Sequence, residues 1–251
     1  MKQRIILVLA LALSALMLQS CFGKKDQPDF SKIKSGVVTV KTNPTTKAVF
    51  LQLDEKTTLL PVNFNAHPYQ GREVRAFVNY EEVQAPHEGY SKAVNVKWID
   101  QILTKGLAPF EKEMDTKYGQ DPVFLEQKDC LIEDGYLTLI FTANYTVGLR
   151  QPHEINLVKG VNPQDPFELE FRHNAHGDSY GGSMASSWVA FSLKDLPDTK
   201  GEKKTLTIKF RSYNGTVEII KLDYITGKTT QGGKQAPDKG KQAQLTSTAF
   251  R

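Results

Sequence analysis

Apolar and polar residues alternate with a period of two along most of this 251-residue chain, and this pattern confines it to β architecture. Successive side chains of a strand point to opposite faces, so such a segment buries one face and wets the other. In "REVRAFVNYEEV" (72–83), Val74, Ala76, Val78 and Tyr80 alternate with Arg75 and Asn79. In "AVNVKWID" (93–100), Val94, Val96 and Trp98 alternate with Asn95 and Lys97. "GVVTVKT" (36–42), "AVFLQLD" (48–54) and "TLLPV" (58–62) add three more short strands. The intervening "NFNAHPYQG" and "QAPHEGY" carry the Asn, Pro and Gly of loops. Five short strands within residues 35–105 predict a small OB-like β-barrel, with Tyr80 and Trp98 filling its interior.

"GLAPFEKEMDTKYGQDP" (106–122) breaks the alternation with Pro109, Gly119 and Pro122, and residues 106–126 read as an interdomain linker. Alternation resumes in "YLTLIFTANY" (136–145), "HEINLV" (153–158), "FELEFRH" (167–173), "SWVAFSL" (187–193), "TLTIKFRS" (205–212) and "VEIIKLDY" (217–224). The "YNGT" between the last two is the signal for a two-residue hairpin with both central residues at positive φ. Residues 127–226 therefore read as an antiparallel β-sandwich, making the whole chain all-β. Residues 227–251 have no periodicity and read as a disordered tail.

The formal net charge is +4. A near-neutral balance without clustered Lys and Arg argues against nucleic acid as a partner. The N-terminus gives an address. A basic "MKQR" is followed by the apolar "IILVLALALSALML", which is too short for a membrane span. It closes on "LQSC", which resembles the lipobox of bacterial lipoproteins. That resemblance implies removal of residues 1–20, fatty acylation of Cys21 and anchoring in a membrane through it. Residues 21–34 then form a polar tether. Phe22 stands where enteric inner-membrane lipoproteins carry a retaining aspartate, which favours the outer membrane, on its periplasmic or surface face. With Cys21 lipidated, Cys130 has no disulfide partner and reads as a buried small hydrophobe.

A lipobox signal, a small barrel and a β-sandwich, in that order, resemble the NigD-like lipoproteins of Gram-negative anaerobes. The residues that carry the resemblance are "YLTLIFTANY", "HEINLV", "DPFELEFRHNAHGD", "WVAFSL" and "TLTIKFRSYNGTVEIIKLDY", with a looser match in "REVRAFVNYEEV" and "AVNVKWID". The match covers about residues 35–225. It implies an N-terminal OB-like domain and a C-terminal β-sandwich. It also implies a bacteriocin-immunity role inferred from genetic context, with no cofactor and no catalytic residues to carry over.

One stretch invites a chemical reading. "RHNAHGDSYGG" (172–182) places His173, His176 and Asp178 close together, and His153 is positioned to approach from a neighbouring strand. Imidazoles and a carboxylate are metal ligands, and a metal-dependent hydrolase built on His173, His176 and Asp178 is one reading. The other is a structural corner or partner contact, with Asn174 and Asp178 capping backbone N–H groups, Gly177 at positive φ and Arg172 on the polar face. The corner is preferred, because H-x-x-H at a strand end lacks the one-face geometry of a helical HExxH. Gly182-Ser183-Met184 lacks the G-x-S-x-G elbow, so nucleophilic catalysis has no support, and Gly181-Gly182 reads as a mobile contact loop. The tyrosines 69, 80 and 90 with Trp98 leave a glycan-binding accessory role open beside a protein-binding one. The reading is a non-enzymatic, lipid-anchored recognition module.

Overall fold

A computed structural model describes residues 30–64, 66–148, 151–180, 182–231 and 250–251. The expected signal peptide, Cys21, most of the tether and residues 232–249 of the tail lie outside the described residues. Phe30–Lys32 form a single 3-10 turn. From Lys34 onward the described residues form one compact unit with fifteen strands and one short helix.

The first five strands are β1 (Lys34–Thr42), β2 (Val49–Gln52), β3 (Thr58–Pro61), β4 (Val74–Glu82) and β5 (Lys92–Gln101). They close into a barrel in the order β1-β2-β3-β5-β4, the five-stranded barrel that the alternation predicts. Val38, Val40, Leu51, Leu59, Val78 and Val94 fill it. Tyr80 is buried there as expected, but Trp98 is 43% exposed. The cause is a β-bulge. Tyr80 pairs with Val96 and Asn79 with Trp98, so Lys97 is an extra residue that reverses the phase of β5. Val94 and Val96 face inward before it and Ile99 after it, leaving Trp98 outside.

The remaining strands are β6 (Leu103–Lys105), β7 (Ala108–Pro109), β8 (Phe124–Glu133), β9 (Tyr136–Tyr145), β10 (Glu154–Lys159), β11 (Glu168–Asn174), β12 (Ser183–Ser192), β13 (Lys204–Arg211), β14 (Val217–Tyr224) and β15 (Thr230–Gln231). They form two five-stranded sheets, β14-β13-β11-β10-β7 and β15-β8-β9-β12-β6, which enclose a core that includes Leu139, Phe141, Leu157, Phe171, Phe191 and Phe210. Most neighbours are antiparallel. β6 on β12, β7 on β10, and β11 on β13 are parallel.

Four sequence expectations change here. Residues 106–126 are not a linker: β7, helix α1 (Met114–Tyr118) and the start of β8 belong to the sandwich. β6 and β7 span three and two residues, too few to show a period, and Pro109 is tolerated because β7 is an edge strand. β8 was hidden by a register shift between Leu125 and Cys130, which leaves the exposed, polar Glu126–Lys128 in mid-strand. The tail is ordered at both described ends, as β15 on β8 and as Phe250 against His153. Finally, "YNGT" makes a three-residue loop. The Gly215 N–H donates to the Ser212 carbonyl and the Ser212 N–H to the Thr216 carbonyl, with Gly215 alone at positive φ (84°). Asn214 keeps a negative φ because its side-chain oxygen accepts from the Thr216 N–H and the Ser212 hydroxyl.

The barrel docks on the sheet that contains β8, β9 and β12. Arg75, on the outer face of β4 where alternation predicts solvent, is 0% exposed. Its guanidinium donates to Glu133 Oε2 at 2.8 Å, Thr39 Oγ1 at 3.0 Å and Thr138 Oγ1 at 3.3 Å. Beside it Phe77 meets Trp188 edge to face, with centroids 4.5 Å apart, over Val37, Ile102, Ile140 and Ala190. Lys41–Asp134 and Tyr136–Glu73, each at 2.8 Å, border this junction.

Candidate functional site

The stretch from Arg172 to Gly182 begins on β11 and turns a corner towards β12. β10 and β11 pair with Ile155 opposite His173, which sets His153 next to His173 across the sheet. After Asn174 the chain turns sharply. Asn174 Oδ1 accepts the His176 N–H at 3.0 Å, the Asp178 N–H donates to the Ala175 carbonyl at 3.0 Å, and His176 and Gly177 both take left-handed φ (50° and 93°). This turn carries Asp178 back over the sheet to His153.

Three of the four sequence-derived residues meet. His153 Nε2 lies 3.2 Å from Asp178 Oδ2, and His153 Nδ1 lies 3.0 Å from His173 Nε2. Asp178 also accepts the Thr146 N–H and the Thr146 hydroxyl, each at 2.7 Å. His173 Nδ1 lies 3.4 Å from the Pro122 carbonyl oxygen. Two neutral rings carry two N–H protons for these three contacts. The assignment consistent with an ionised Asp178 has His153 Nε2–H donating to it and His173 Nε2–H donating to His153 Nδ1. The longest contact, to Pro122, is then the one without a proton.

His176 does not join. It is exposed on the turn, with Nε2 3.2 Å from Gln151 Nε2. Arg172, expected on a solvated face, is buried under α1, where it binds Asp115 Oδ1 at 2.5 Å, Glu170 Oε1 at 2.9 Å and the Gly119 carbonyl at 3.1 Å. Gly182 is a close approach and not a free loop position. A Cβ there would overlap the Tyr145 carbonyl, and its φ is 69°.

The electrostatics are those of a closed structural cluster. Burial depresses the His173 imidazole to about 4, with His153 adding to the shift. Burial likewise lowers His153, against the pull of Asp178. For Asp178 burial pushes upward, but the hydrogen bonds from Thr146 and His153 outweigh it and hold the carboxyl below its ordinary value. His153 spends both ring nitrogens inside the cluster. Among the described residues no three His, Cys, Asp or Glu side chains are placed to hold a metal ion. The metal reading of His173, His176 and Asp178 is therefore corrected: His176 points elsewhere, and His153 replaces it in a chain of hydrogen bonds. Cys130 is fully buried, and burial, with Asp129 adding, pushes its thiol up to about 12, which leaves it a poor nucleophile.

Several contributors escaped sequence reading. Asp121, in the supposed linker, accepts the Ala175 N–H at 2.7 Å and the Ser179 hydroxyl at 2.5 Å, and so pins the corner from below. Gly119 (φ 70°) passes so close to His173 and Asn174 that any Cβ would overlap their backbone. Phe250 covers the His153 ring edge to face at 5.6 Å. The Asp-Pro and Gly in "YGQDP" were a readable turn signal; Phe250 had none.

The comparisons with known proteins agree with this architecture. A model of the NigD-like N-terminal OB domain matches residues 37–102, and one of the NigD-like C-terminal β-sandwich domain matches residues 106–224. No curated protein shows significant similarity. Among solved structures, a protein of Parabacteroides distasonis provisionally described as toxin-related is 34% identical, over 77% of this chain and 94% of its own, with a TM-score of 0.67. A protein of unknown function from Bacteroides vulgatus is 24% identical, over 78% and 92%, with a TM-score of 0.62. A NigD-like immunity protein from Bacteroides caccae shares the fold at 19% identity, over 77% and 97%, with a TM-score of 0.57. With both domain models matched in order along one continuous fold, this chain belongs to the NigD-like family.

Proposed function

We propose that this chain is a lipid-anchored envelope protein that recognises a protein partner without catalysing a reaction, in the manner of a bacteriocin-immunity protein. The observation that carries the reading is a row of uncovered aromatic rings beside the corner. Phe124, 50% exposed, stacks on Tyr213 with centroids 4.8 Å apart, and Tyr213 meets Tyr180, 80% exposed, at 6.3 Å. Large rigid rings held in place at a surface are the side chains that anchor protein interfaces. Tyr213 is fixed by its hydroxyl, which accepts the Asn144 N–H at 2.7 Å. The B. caccae relative described as an immunity protein supports the same reading. The hydrolase alternative gains nothing from a corner whose polar atoms bind one another.

Attachment through Cys21, with Phe22 after it, places the module at the outer membrane in this proposal. Among the described residues no helix is long and apolar enough to cross a membrane. A strain lacking the gene is expected to lose resistance to a bacteriocin of its own or a neighbouring strain. The wild-type gene restores it, and a Phe124→Ala/Tyr180→Ala variant does not. Unchanged resistance in the deletion strain would overturn the immunity role. A Cys21→Ser variant is expected to leave the membrane fraction, and its retention there would overturn the anchor.

A further inference from the structure

Phe250 and Arg251 complete an edge of the sandwich. The Arg251 N–H donates to the His153 carbonyl and the Ile155 N–H to the Arg251 carbonyl, both at 2.9 Å, in a parallel bridge between His153 and Phe250. Farther along the same edge β7 pairs with Val158 and Lys159. Between them Lys105 Nζ reaches the Ile155 carbonyl at 2.6 Å. Because β7 is only two residues long, the His153–Ile155 segment that leads into β10 presents backbone groups that something must satisfy.

The seat is also shaped for a ring. Phe250 is 2% exposed. It meets Phe141 edge to face at 4.8 Å and His153 edge to face at 5.6 Å, and it tilts over Tyr145 at 5.9 Å. These walls belong to β9 and to His153, just before β10. The occupant arrives from far away: eighteen residues, 232–249, separate it from β15, which lies on the other sheet. An edge that pairs with two backbone groups and pockets one aromatic side chain is the arrangement used when an extended peptide adds to a sheet.

We infer that the His153–Ile155 edge is a peptide-binding site for an extended segment of a partner protein carrying an aromatic side chain, and that the chain's own Phe250–Arg251 holds it in the free protein. The inference rests on the recognition reading only for the partner; the site itself stands on the geometry. A tethered occupant acts at an effective concentration near the millimolar range, so a partner segment must bind more tightly than the tail to displace it.

The test uses a fluorescent peptide of residues 244–251, QLTSTAFR, with anisotropy read against the full chain and against a variant ending at residue 249. The truncated variant is expected to bind it saturably, and the Phe250→Ala peptide at least about tenfold more weakly. The full chain is expected to bind the parent peptide at least about tenfold more weakly than the truncated variant does. Absence of binding to a truncated variant with the full chain's far-UV circular dichroism would overturn the site, and so would equal binding to both. If the truncated variant does not fold, the full-length Phe250→Ala variant replaces it under the same criteria. Resistance that persists without peptide binding would remove the groove alone; peptide binding without any resistance phenotype would remove the immunity reading alone.

Discussion

Two of the buried polar clusters, the junction and the corner, handle charge differently. At the junction of barrel and sandwich, Arg75 and Glu133 sit 2.8 Å apart and two threonine hydroxyls occupy the other guanidinium nitrogens. Burial pushes the Glu133 carboxyl up while Arg75 pulls it down. At the corner, His153 meets the Asp178 carboxylate and His173 meets His153, and burial drives His173 towards neutrality. Arg75 offsets part of the rise that burial imposes on Glu133; at the corner, burial keeps the proton off the His173 ring. The junction joins two domains, whereas the corner ties together loops of one. The junction should therefore carry the larger energetic consequence, although the corner looks more like chemistry.

The comparison breaks most sharply at Arg75. Arg75→Met leaves Glu133 buried without its partner and is expected to cost about 3–5 kcal/mol in urea unfolding. Adding Glu133→Leu should recover most of that loss, since an apolar pair of similar volume satisfies the same space. A single mutant within about 1 kcal/mol of wild type would place the docking energy elsewhere.

Acid should weaken the corner through its buried imidazoles. Unfolded imidazoles take protons near pH 6.5, whereas folded His173 does so only near 4. Between those values the unfolded chain binds more protons, so stability falls as pH drops through this window. His173 alone accounts for about 3.5 kcal/mol at most, since each tenfold change in proton affinity is worth about 1.4 kcal/mol. His173→Gln should flatten the profile between pH 6.5 and 4. An unchanged slope would assign the acid sensitivity to other groups.

Gly119→Ala combines a left-handed φ with overlap against the His173 backbone and is expected to cost about 2 kcal/mol, read as a lower melting temperature. His176→Asn, two residues beyond Asn174 but pointing outward, should change stability by less than about 0.5 kcal/mol, because Asn tolerates the same φ of 50°. A large effect at His176 would mean that it meets a partner within the protein that its exposed position does not supply.

The barrel was legible because its interior follows a period of two with one interruption, and that interruption was invisible. Lys97 is one extra residue inside an unbroken alternating pattern, and nothing local marks it as a bulge. Arg75 was misplaced for a different reason. Alternation reports which residues share a face, not whether that face is later covered by another domain. The corner could be read in part, since Asn174, Gly177 and Asp178 are turn residues whose side chains or backbone do what their chemistry allows. Its outer partners Thr146 and Phe250 come from distant segments and carry no signature of their own, and the turn signal at Asp121-Pro122 does not say which corner it pins. The metal reading failed on direction: His173 and His176 are three apart, but the turn between them sends one ring into the core and the other to solvent.

The short strands β6 and β7 have a consequence for the order in which the protein is built. They leave the barrel and enter the two sheets in succession, yet Leu103 pairs with Val189 and Ala108 with Val158. Chain synthesised in order presents this connector long before its partners exist. Pairing across such separations requires closing long loops, a slow step in folding. The barrel can close from local contacts, but its seat on the sandwich must wait for β12. Arg75, Val37 and Phe77 therefore stay uncovered during that interval, and the final docking step sets the time at which folding is complete.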